Sequence, residues 1–333
     1  MLYPIGIQSF ETLRREGYAY VDKTDHIWRL ATTGKYYFLS RPRRFGKSLL
    51  VSTMEAYFSG RKELFEGLAI AELEKEWTVY PTLRLDLSGA SYSSPLVLSE
   101  KLSAFLDKYG RQYGVGMNGT VHSVRFESLI DAIYQKTGRP VVILIDEYDK
   151  PVLDNLSDDE AAESHRNILQ GFYSVIKSRN DYIKFAFFTG VTKLGKLSVF
   201  SALNSPEDIS MSLDDSDICG ITGNELNLYF SESIAAMAKV RGISVEDCFL
   251  TLARMYDGYR FHPDADGVYN PYSLLRSLKN REFGEYWFET GTPSFLVWFI
   301  QQGDYLLEDI TSNGVQASKL SGSNYEKPDA ITL

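Results

Sequence analysis

The pattern of apolar and polar positions predicts an α/β fold built on buried parallel strands. Residues 141–145 (Val-Val-Ile-Leu-Ile) form a continuous apolar run after a Gly-Arg-Pro turn, and residues 183–188 form a second run that is apolar except for Lys184. Such runs are typical of strands that are covered on both faces of a sheet. Two further strands are predicted at 36–39, which is aromatic and apolar, and at 82–87, where leucines alternate.

Apolar residues at helical spacing predict helices between these strands. The predicted helices lie at about 25–32, 49–54, 96–109, 126–135 and 160–179. A glycine-rich loop is expected at 110–119. A fifth strand is predicted either near 208–211 or near 218–221, and the pattern does not decide between the two.

From about residue 222 the pattern becomes mainly helical. Thr222 and Glu225 have the spacing of a capping box, which predicts a helix start at this point. Further helices are predicted at 245–256 and after Asn270, with a hairpin or turn between them. We therefore predict a core at 1–221, a small helical lid domain at 222–303, and a polar segment at 304–333 that begins a truncated further region.

The segment at 40–48, Ser-Arg-Pro-Arg-Arg-Phe-Gly-Lys-Ser, lies between a predicted strand and a predicted helix. Strand, loop, Gly-Lys-Ser and helix follow one another in this order in phosphate-binding P-loops. In that arrangement Lys47 reaches the β- and γ-phosphates of a nucleotide, and the Ser48 hydroxyl ligates Mg²⁺. The predicted nucleotide-binding residues are Arg43, Arg44, Phe45, Gly46, Lys47, Ser48 and Leu49.

The match to the P-loop pattern is incomplete, because Arg41 stands where the pattern has its first glycine. A Gly-Lys-Ser triplet alone also fits a helix N-terminus with a solvated lysine. Tyr20 to Thr24 is a further candidate for contact with the nucleotide base, with ordinary edge packing as its alternative.

A second motif, about a hundred residues later, supports the first. The apolar run at 141–145 ends in Asp146 and Glu147, at the edge of the sheet where ligands bind in open α/β folds. We expect Asp146 to hold Mg²⁺ and Glu147 to activate water. The alternative is a buried strand that ends in a solvated acidic turn. The strand at 183–190 carries Thr189 near its end, which predicts a γ-phosphate sensor on an additional strand inserted between the P-loop strand and the acidic strand.

Composition and charge narrow the classes of function. The 333 residues carry a net charge of −9, which argues against a broad basic face for nucleic acid. The two cysteines, Cys219 and Cys248, fit neither a disulfide framework nor a zinc motif, and the four histidines are scattered. No apolar stretch is long enough to form a signal peptide or a membrane span. These features predict a cytoplasmic protein.

Several ordered motifs resemble the bacterial AAA-ATPase-like family. They are the segments at 20–24, 40–48, 145–151, 188–193, 256–259, 268–273 and 286–293. The resemblance implies a P-loop NTPase fold of the additional-strand class, with Arg41 as the family's usual residue. It carries the roles above over to Lys47, Ser48, Asp146 and Glu147. It also implies a C-terminal PD-(D/E)XK nuclease-like domain, but the sequence offers only Pro328-Asp329, so no nuclease site is assigned.

These observations predict Mg²⁺-dependent ATP binding and hydrolysis that drives a switch or motor. Two alternatives are a non-hydrolysing regulatory scaffold and a nucleic-acid-dependent ATPase that works with a nuclease-like domain. A protein partner or effector domain is expected, and the oligomeric state is left open. Candidates for an arginine finger are Arg254, Arg260 and Arg276, while Lys193 and Lys196 either contact phosphate or a partner or lie in a solvated loop.

Overall fold

A computed structural model describes residues 1–191 and 206–286, and within them a five-stranded parallel sheet forms the centre of the molecule. The strands are β1 (Tyr36–Ser40), β2 (Thr82–Asp86), β3 (Val141–Asp146), β4 (Ile183–Gly190) and β5 (Glu207–Asp208). Their order across the sheet is β2-β3-β4-β1-β5. Strand β4 thus lies between β1 and β3, which confirms the predicted additional-strand arrangement.

The edge strand β5 resolves the two alternatives for the fifth strand in favour of the first. Glu207 and Asp208 pair with β1, and the Ile209 N–H continues the ladder to the carbonyl oxygen of Phe38 at 3.0 Å. The Asp208 carboxylate then accepts a hydrogen bond from the Ser210 N–H. This side chain competes with strand pairing for the backbone, so the strand ends after two residues.

Helices cover both faces of the sheet and bury its apolar strands. They are α1 (Phe10–Arg15), α2 (Thr24–Thr33), α3 (Lys47–Phe58), α4 (Ala69–Leu73), α5 (Pro95–Tyr113), α6 (His122–Thr137), α7 (Lys150–Leu153) and α8 (Asp159–Ser178). In β3, Ile143 and Ile145 belong to one hydrophobic core, and Val142 and Leu144 belong to the core on the opposite face. This explains why the strand is apolar at every position.

Helix α5 is longer than its pattern predicted and takes up the start of the expected glycine-rich loop. Gly110 is buried inside the helix, and a side chain there would lie 2.9 Å from the Cε atom of Met117. The helix ends at Gly114, whose φ of 59° is a left-handed C-cap conformation. The first glycine of the run therefore serves close packing, and the second one ends the helix.

The described part of the C-terminal region, residues 221–286, is called here the helical region. It contains β6 (Ile221–Thr222), α9 (Gly223–Arg241), α10 (Val245–Tyr256), β7 (Val268–Tyr269) and α11 (Pro271–Asn280). Thr222 and Glu225 form the predicted capping box at the start of α9, and the Asn270 side chain caps α11. The second alternative for the fifth strand contributes β6, which pairs with β7 instead of joining the large sheet.

The helical region has a hydrophobic core of its own. Leu226, Phe230, Ile234, Leu252 and Leu274 are buried together in it. The predictions for Lys193 and Lys196, for the lid beyond residue 286 and for the segment at 304–333 lie outside the described residues. No helix in the described ranges is both long and apolar enough to cross a bilayer.

Candidate functional site

The predicted site residues meet at the carboxyl edge of the sheet. Strand β1 ends at Ser40 and leads into residues 41–48, called here the 41–48 loop, from which α3 begins at Lys47. Thr189 lies in β4 opposite Leu39 of β1, and Asp146 ends β3 in the same sheet. Because parallel strands end at a common edge, the loop and both side chains face the same end of the molecule.

The 41–48 loop contains two residues in the left-handed region of backbone space. Arg44 has a φ of 69° and Gly46 a φ of 94°. A side chain at Gly46 would meet no atom within 4 Å, so it is the backbone conformation that favours glycine there. Left-handed residues help to turn successive N–H groups to one side of a loop, as in anion-binding nests. Arg41 has no positive φ, which explains why the pattern's first glycine is not required here.

Lys47 is buried within the loop that precedes it. Its Nζ atom donates hydrogen bonds to the carbonyl oxygens of Arg41 at 2.7 Å and Pro42 at 3.0 Å. Burial lowers the pKa of the Lys47 ammonium, and the carboxylates of Glu147 and Asp149 oppose this shift. The helix that starts here has no side-chain cap, so its first N–H groups and the lysine together favour an anion.

Asp146 and Thr189 form a buried polar pair beside the loop. Both side chains are fully buried, and Thr189 Oγ1 donates a hydrogen bond of 2.5 Å to Asp146 Oδ1. The second oxygen, Oδ2, has no hydrogen-bond partner among the described residues. An unpaired buried carboxylate oxygen is costly, and a hard cation such as Mg²⁺ would be a suitable partner for it.

The donor set fits Mg²⁺ better than a metal held by protein ligands alone. Within the residues that the structure covers, no group of three or more His, Cys, Asp or Glu side chains is arranged around a metal position. Mg²⁺ commonly binds through one or two side chains together with water and substrate phosphates. Asp146 and the half-buried Ser48, in the first turn of α3, are side chains of the required type.

Glu147 follows the buried strand in a strained conformation. Its φ is 54°, a left-handed value that costs about 1 kcal/mol for a residue with a side chain. The chain rejoins the sheet at once, since the Tyr148 N–H donates to the carbonyl oxygen of Thr189 at 2.9 Å. Burial raises the pKa of the Glu147 carboxyl, and the cations of Lys47 and Arg43 act against this shift. A raised pKa is favourable for a carboxylate that accepts a proton.

The remaining predicted binding residues differ in how far their side chains are exposed to solvent. Arg43 is half-buried, and Arg44 is exposed with its guanidinium 4.8 Å from the ring centroid of Tyr272. Phe45 is buried, so its backbone is the part that can meet a ligand, and half-buried Leu49 packs against the hydrophobic core. The phenyl ring of Phe45 is therefore structural.

The helical region supplies neighbours of the loop that the sequence did not indicate. The rings of Tyr259 and Phe261 lie 4.6 Å and 5.6 Å from that of Phe45, centroid to centroid. Of the three candidate arginine fingers, Arg276 donates to the Tyr272 hydroxyl at 3.1 Å, next to Arg44, whereas Arg254 and Arg260 are exposed. The turn at 257–262 contains no catalytic motif, so its position beside the 41–48 loop is seen only in the structure.

Residues 20–24 are held by structural contacts. The Asp22 carboxylate accepts hydrogen bonds from the N–H groups of Thr24 and Ala69, so it links the starts of α2 and α4. The Tyr20 ring packs edge-on against Phe10. These contacts are of the edge-packing kind and do not involve the 41–48 loop.

Two cavities, of about 420 and 340 Å³, lie beside the C-terminal half of α3 rather than at the loop. The charged groups of the larger cavity are paired with one another, Arg61 with Glu11 and Arg84 with Glu55. We therefore assign the site by the chemistry of the loop and not by cavity size.

A cluster of charges joins α2, the segment after β5 and the start of α9. Lys23 Nζ lies 2.5 Å from Glu225 Oε1 and 3.4 Å from Asp217 Oδ2, and His26 Nε2 lies 3.3 Å from Asp217 Oδ1. Burial alone lowers the pKa of His26, but hydrogen bonds to Asp215 and Asp217 outweigh it and raise the pKa to about 9. Lys23 links the core to the helical region through Glu225, and charged His26 holds the segment at 215–217 that leads into it.

Replacing His26 by glutamine should destabilise the protein in a pH-dependent way. The folded pKa of about 9 exceeds the ordinary 6.5, so the stabilisation is complete below pH 6.5 and disappears as the pH rises through 9. We expect His26→Gln to lower the free energy of unfolding by about 1–3 kcal/mol at pH 6 and by much less at pH 10. Urea unfolding followed by circular dichroism measures both values, with His262→Gln as the matched control. Equal losses at the two pH values would contradict the assignment.

This chain resembles both a protein family and an individual curated protein. A family model described as "Predicted AAA-ATPase" matches residues 4–200, a range that includes the 41–48 loop, Asp146 and Thr189. The chain is also 38% identical over 296 residues to a protein of Azotobacter chroococcum mcd 1 described as an uncharacterized protein in the vnfD 5′ region. That match covers 88% of this chain and 55% of the relative, so the chain spans about half the length of the curated relative.

Proposed function

This chain belongs to the predicted AAA-ATPase family, and we propose that it binds ATP with Mg²⁺ at the 41–48 loop and hydrolyses it to drive a switch or motor. The observation that carries the proposal is the unpaired buried oxygen of Asp146, hydrogen-bonded through its other oxygen to Thr189, at the sheet edge where the loop begins. This combination supplies a phosphate site and a cation ligand at one edge.

In the proposed complex, the 41–48 loop and the first turn of α3 bind the phosphates. Lys47 exchanges its two hydrogen bonds with the Arg41 and Pro42 carbonyls for the β- and γ-phosphate oxygens. A buried ammonium gains more from a phosphate charge than from neutral carbonyls, so the exchange favours the bound state. Arg43 and Arg44 add positive charge beside the loop.

Ser48 and Asp146 are the residues that would hold Mg²⁺ with the nucleotide. When bound, the metal would neutralise negative charge on the phosphates. Asp146 is suited to this role because Thr189 already occupies one of its oxygens and fixes the orientation of the other. The rigid position on β3 keeps that oxygen at the sheet edge.

Hydrolysis uses Glu147 and Thr189. Glu147 accepts a proton from the attacking water while the water oxygen bonds to the γ-phosphorus. The bond between that phosphorus and the bridging oxygen breaks, which releases ADP. The Thr189 hydroxyl donates its hydrogen bond to Asp146. The lone pairs of the Thr189 oxygen are therefore available to orient the water or to sense the γ-phosphate. The helical region would change its position with the nucleotide state.

The direct test is to measure ATP binding by calorimetry and phosphate release, each with Mg²⁺ and with EDTA. Binding together with Mg²⁺-dependent release of phosphate is the expected result. Binding without turnover would favour the regulatory scaffold, and stimulation by DNA that is lost at high salt would favour a nucleic-acid-dependent ATPase. No binding in either condition would refute the proposal.

A further inference from the structure

Arg41 makes an unusual set of contacts for a residue at the end of the β1 strand. Its side chain is buried, and Nη1 donates to the carbonyl oxygens of Ser40 at 3.0 Å and Ser210 at 2.7 Å. Nη2 donates to the carbonyl oxygen of Asp215 at 2.9 Å. The guanidinium carbon lies 3.8 Å from the ring centroid of Phe261. The cation is thus held by backbone dipoles and by an aromatic face.

Stability alone does not account for a buried arginine at this position. Removing a cation from water is costly, and carbonyl dipoles and a ring offset that cost only in part. The P-loop pattern has glycine at this point, and the backbone of Arg41 is compatible with many residues, since its φ is not positive. The contacts made by the side chain therefore suggest a role beyond packing.

Those contacts connect three parts of the chain. The first is the 41–48 loop itself, because the Arg41 carbonyl accepts the hydrogen bond from Lys47. The second is the segment at 210–216, which leads through β6 into α9 of the helical region. The third is Phe261 in the turn before β7, which also packs against Phe45. The loop is therefore in contact with the helical region through Phe261 and with the segment that precedes it.

We propose that Arg41 is a positioning residue that fastens the helical region to the 41–48 loop, so that the two move together when nucleotide binds. The second half of this inference rests on the proposed ATP binding. When Lys47 leaves the Arg41 carbonyl for phosphate, that carbonyl loses a donor, and the Arg41 peptide can turn about its remaining hydrogen bond from the Arg41 N–H to the Gly190 carbonyl at 3.2 Å. The side chain then carries the shift to Phe261 and to the 210–216 segment.

The first test uses the unliganded protein and hydrogen–deuterium exchange. Arg41→Gly restores the glycine of the P-loop pattern and should raise amide exchange in 257–262 and 211–216 by about tenfold. Arg14→Ala is the matched control, because Arg14 also donates to two backbone carbonyls but lies in α1. Exchange within about twofold of wild type in Arg41→Gly would overturn the proposal.

The second test adds ATP and separates binding from turnover. Arg41→Gly should keep its KM within a few-fold of wild type, lose about tenfold in kcat, and no longer change exchange in 257–262 when ATP binds. Arg41→Lys, which keeps the charge, should recover part of the kcat. A wild-type kcat and a wild-type exchange response in Arg41→Gly would show that Arg41 does not couple the two parts.

Phe261→Leu provides a second route in case Arg41→Gly does not fold. It removes the aromatic face and leaves the hydrogen bonds from the Arg41 guanidinium to backbone carbonyls intact. We therefore expect the same result as for Arg41→Gly, a lower kcat with a KM close to that of the wild type. Failure of the proposed function is distinguishable, because it would appear as absent ATP binding in the wild type. The exchange rates of the unliganded variants would still decide whether Arg41 fastens the helical region.

Discussion

Lys47→Ala should reduce ATP affinity by about a hundredfold or more and abolish turnover. The ammonium is buried at the start of α3, and no other side chain of the loop occupies its position between the loop carbonyls. Its loss removes a charge-assisted contact to phosphate from a site of low polarity, where such contacts are strong. Isothermal calorimetry with Mg²⁺-ATP measures affinity, and phosphate release measures turnover.

The control for this variant is Lys184→Ala, since Lys184 lies on β4 near the ring of Tyr80 and far from the loop. It should bind and hydrolyse ATP as the wild type does. Circular dichroism checks that Lys47→Ala folds, because the variant also leaves the Arg41 and Pro42 carbonyls without their donor. Wild-type affinity in folded Lys47→Ala would remove the 41–48 loop from nucleotide binding.

Glu147→Gln should retain ATP binding and lose turnover by about 10²–10⁴-fold, the usual contribution of a general base. The amide keeps the size of the side chain and the strained backbone position but cannot accept the proton of the attacking water. In the wild type the base acts when deprotonated, and burial raises the pKa of the Glu147 carboxyl in the unliganded protein. The value of kcat/KM should therefore still increase with pH above the ordinary pKa of a glutamate. That rise should disappear in the variant.

Phosphate release between pH 4 and 8 measures both effects, with Glu163→Gln as the matched control on the exposed surface of α8. Glu163→Gln should keep the wild-type rate and pH profile. Turnover in Glu147→Gln at the wild-type rate would assign water activation to another group. Loss of ATP affinity as well would indicate that Glu147 supports the shape of the loop.

The sequence predicted those elements and side chains whose positions are determined by the local apolar pattern or by the order of the strands. The apolar runs of β3 and β4 predicted buried strands, and Asp146 and Thr189 follow because polar residues at strand ends meet at one edge. The capping box at Thr222 was predictable because it needs only two side chains three residues apart. The buried strands and the capping box depend on neighbours in the chain, whereas the meeting of Asp146 with Thr189 depends on the order of the strands.

Features that depend on distant segments were not predictable. Phe45 has the same sequence environment as the loop residues beside it, yet Tyr259 and Phe261 bury it, from more than two hundred residues away. The contacts of the Arg41 side chain were not predictable, because its acceptors lie in the 210–216 segment. Strand β5 is two residues long, and so short an edge strand gives almost no periodicity.

The order of the strands has a consequence for the synthesis of the chain. Strand β1 pairs with β4 and β5 but with none of the strands closer to it in sequence, so its first partner is made about 150 residues later. At ~5–20 residues per second the ribosome needs roughly 8–30 s to reach that partner. An apolar strand with two open edges is prone to aggregate during this interval. Helices α2 and α3 are made on either side of β1 and pack against its residues Tyr37 and Leu39, so one face of the strand can be covered long before β4 is synthesised.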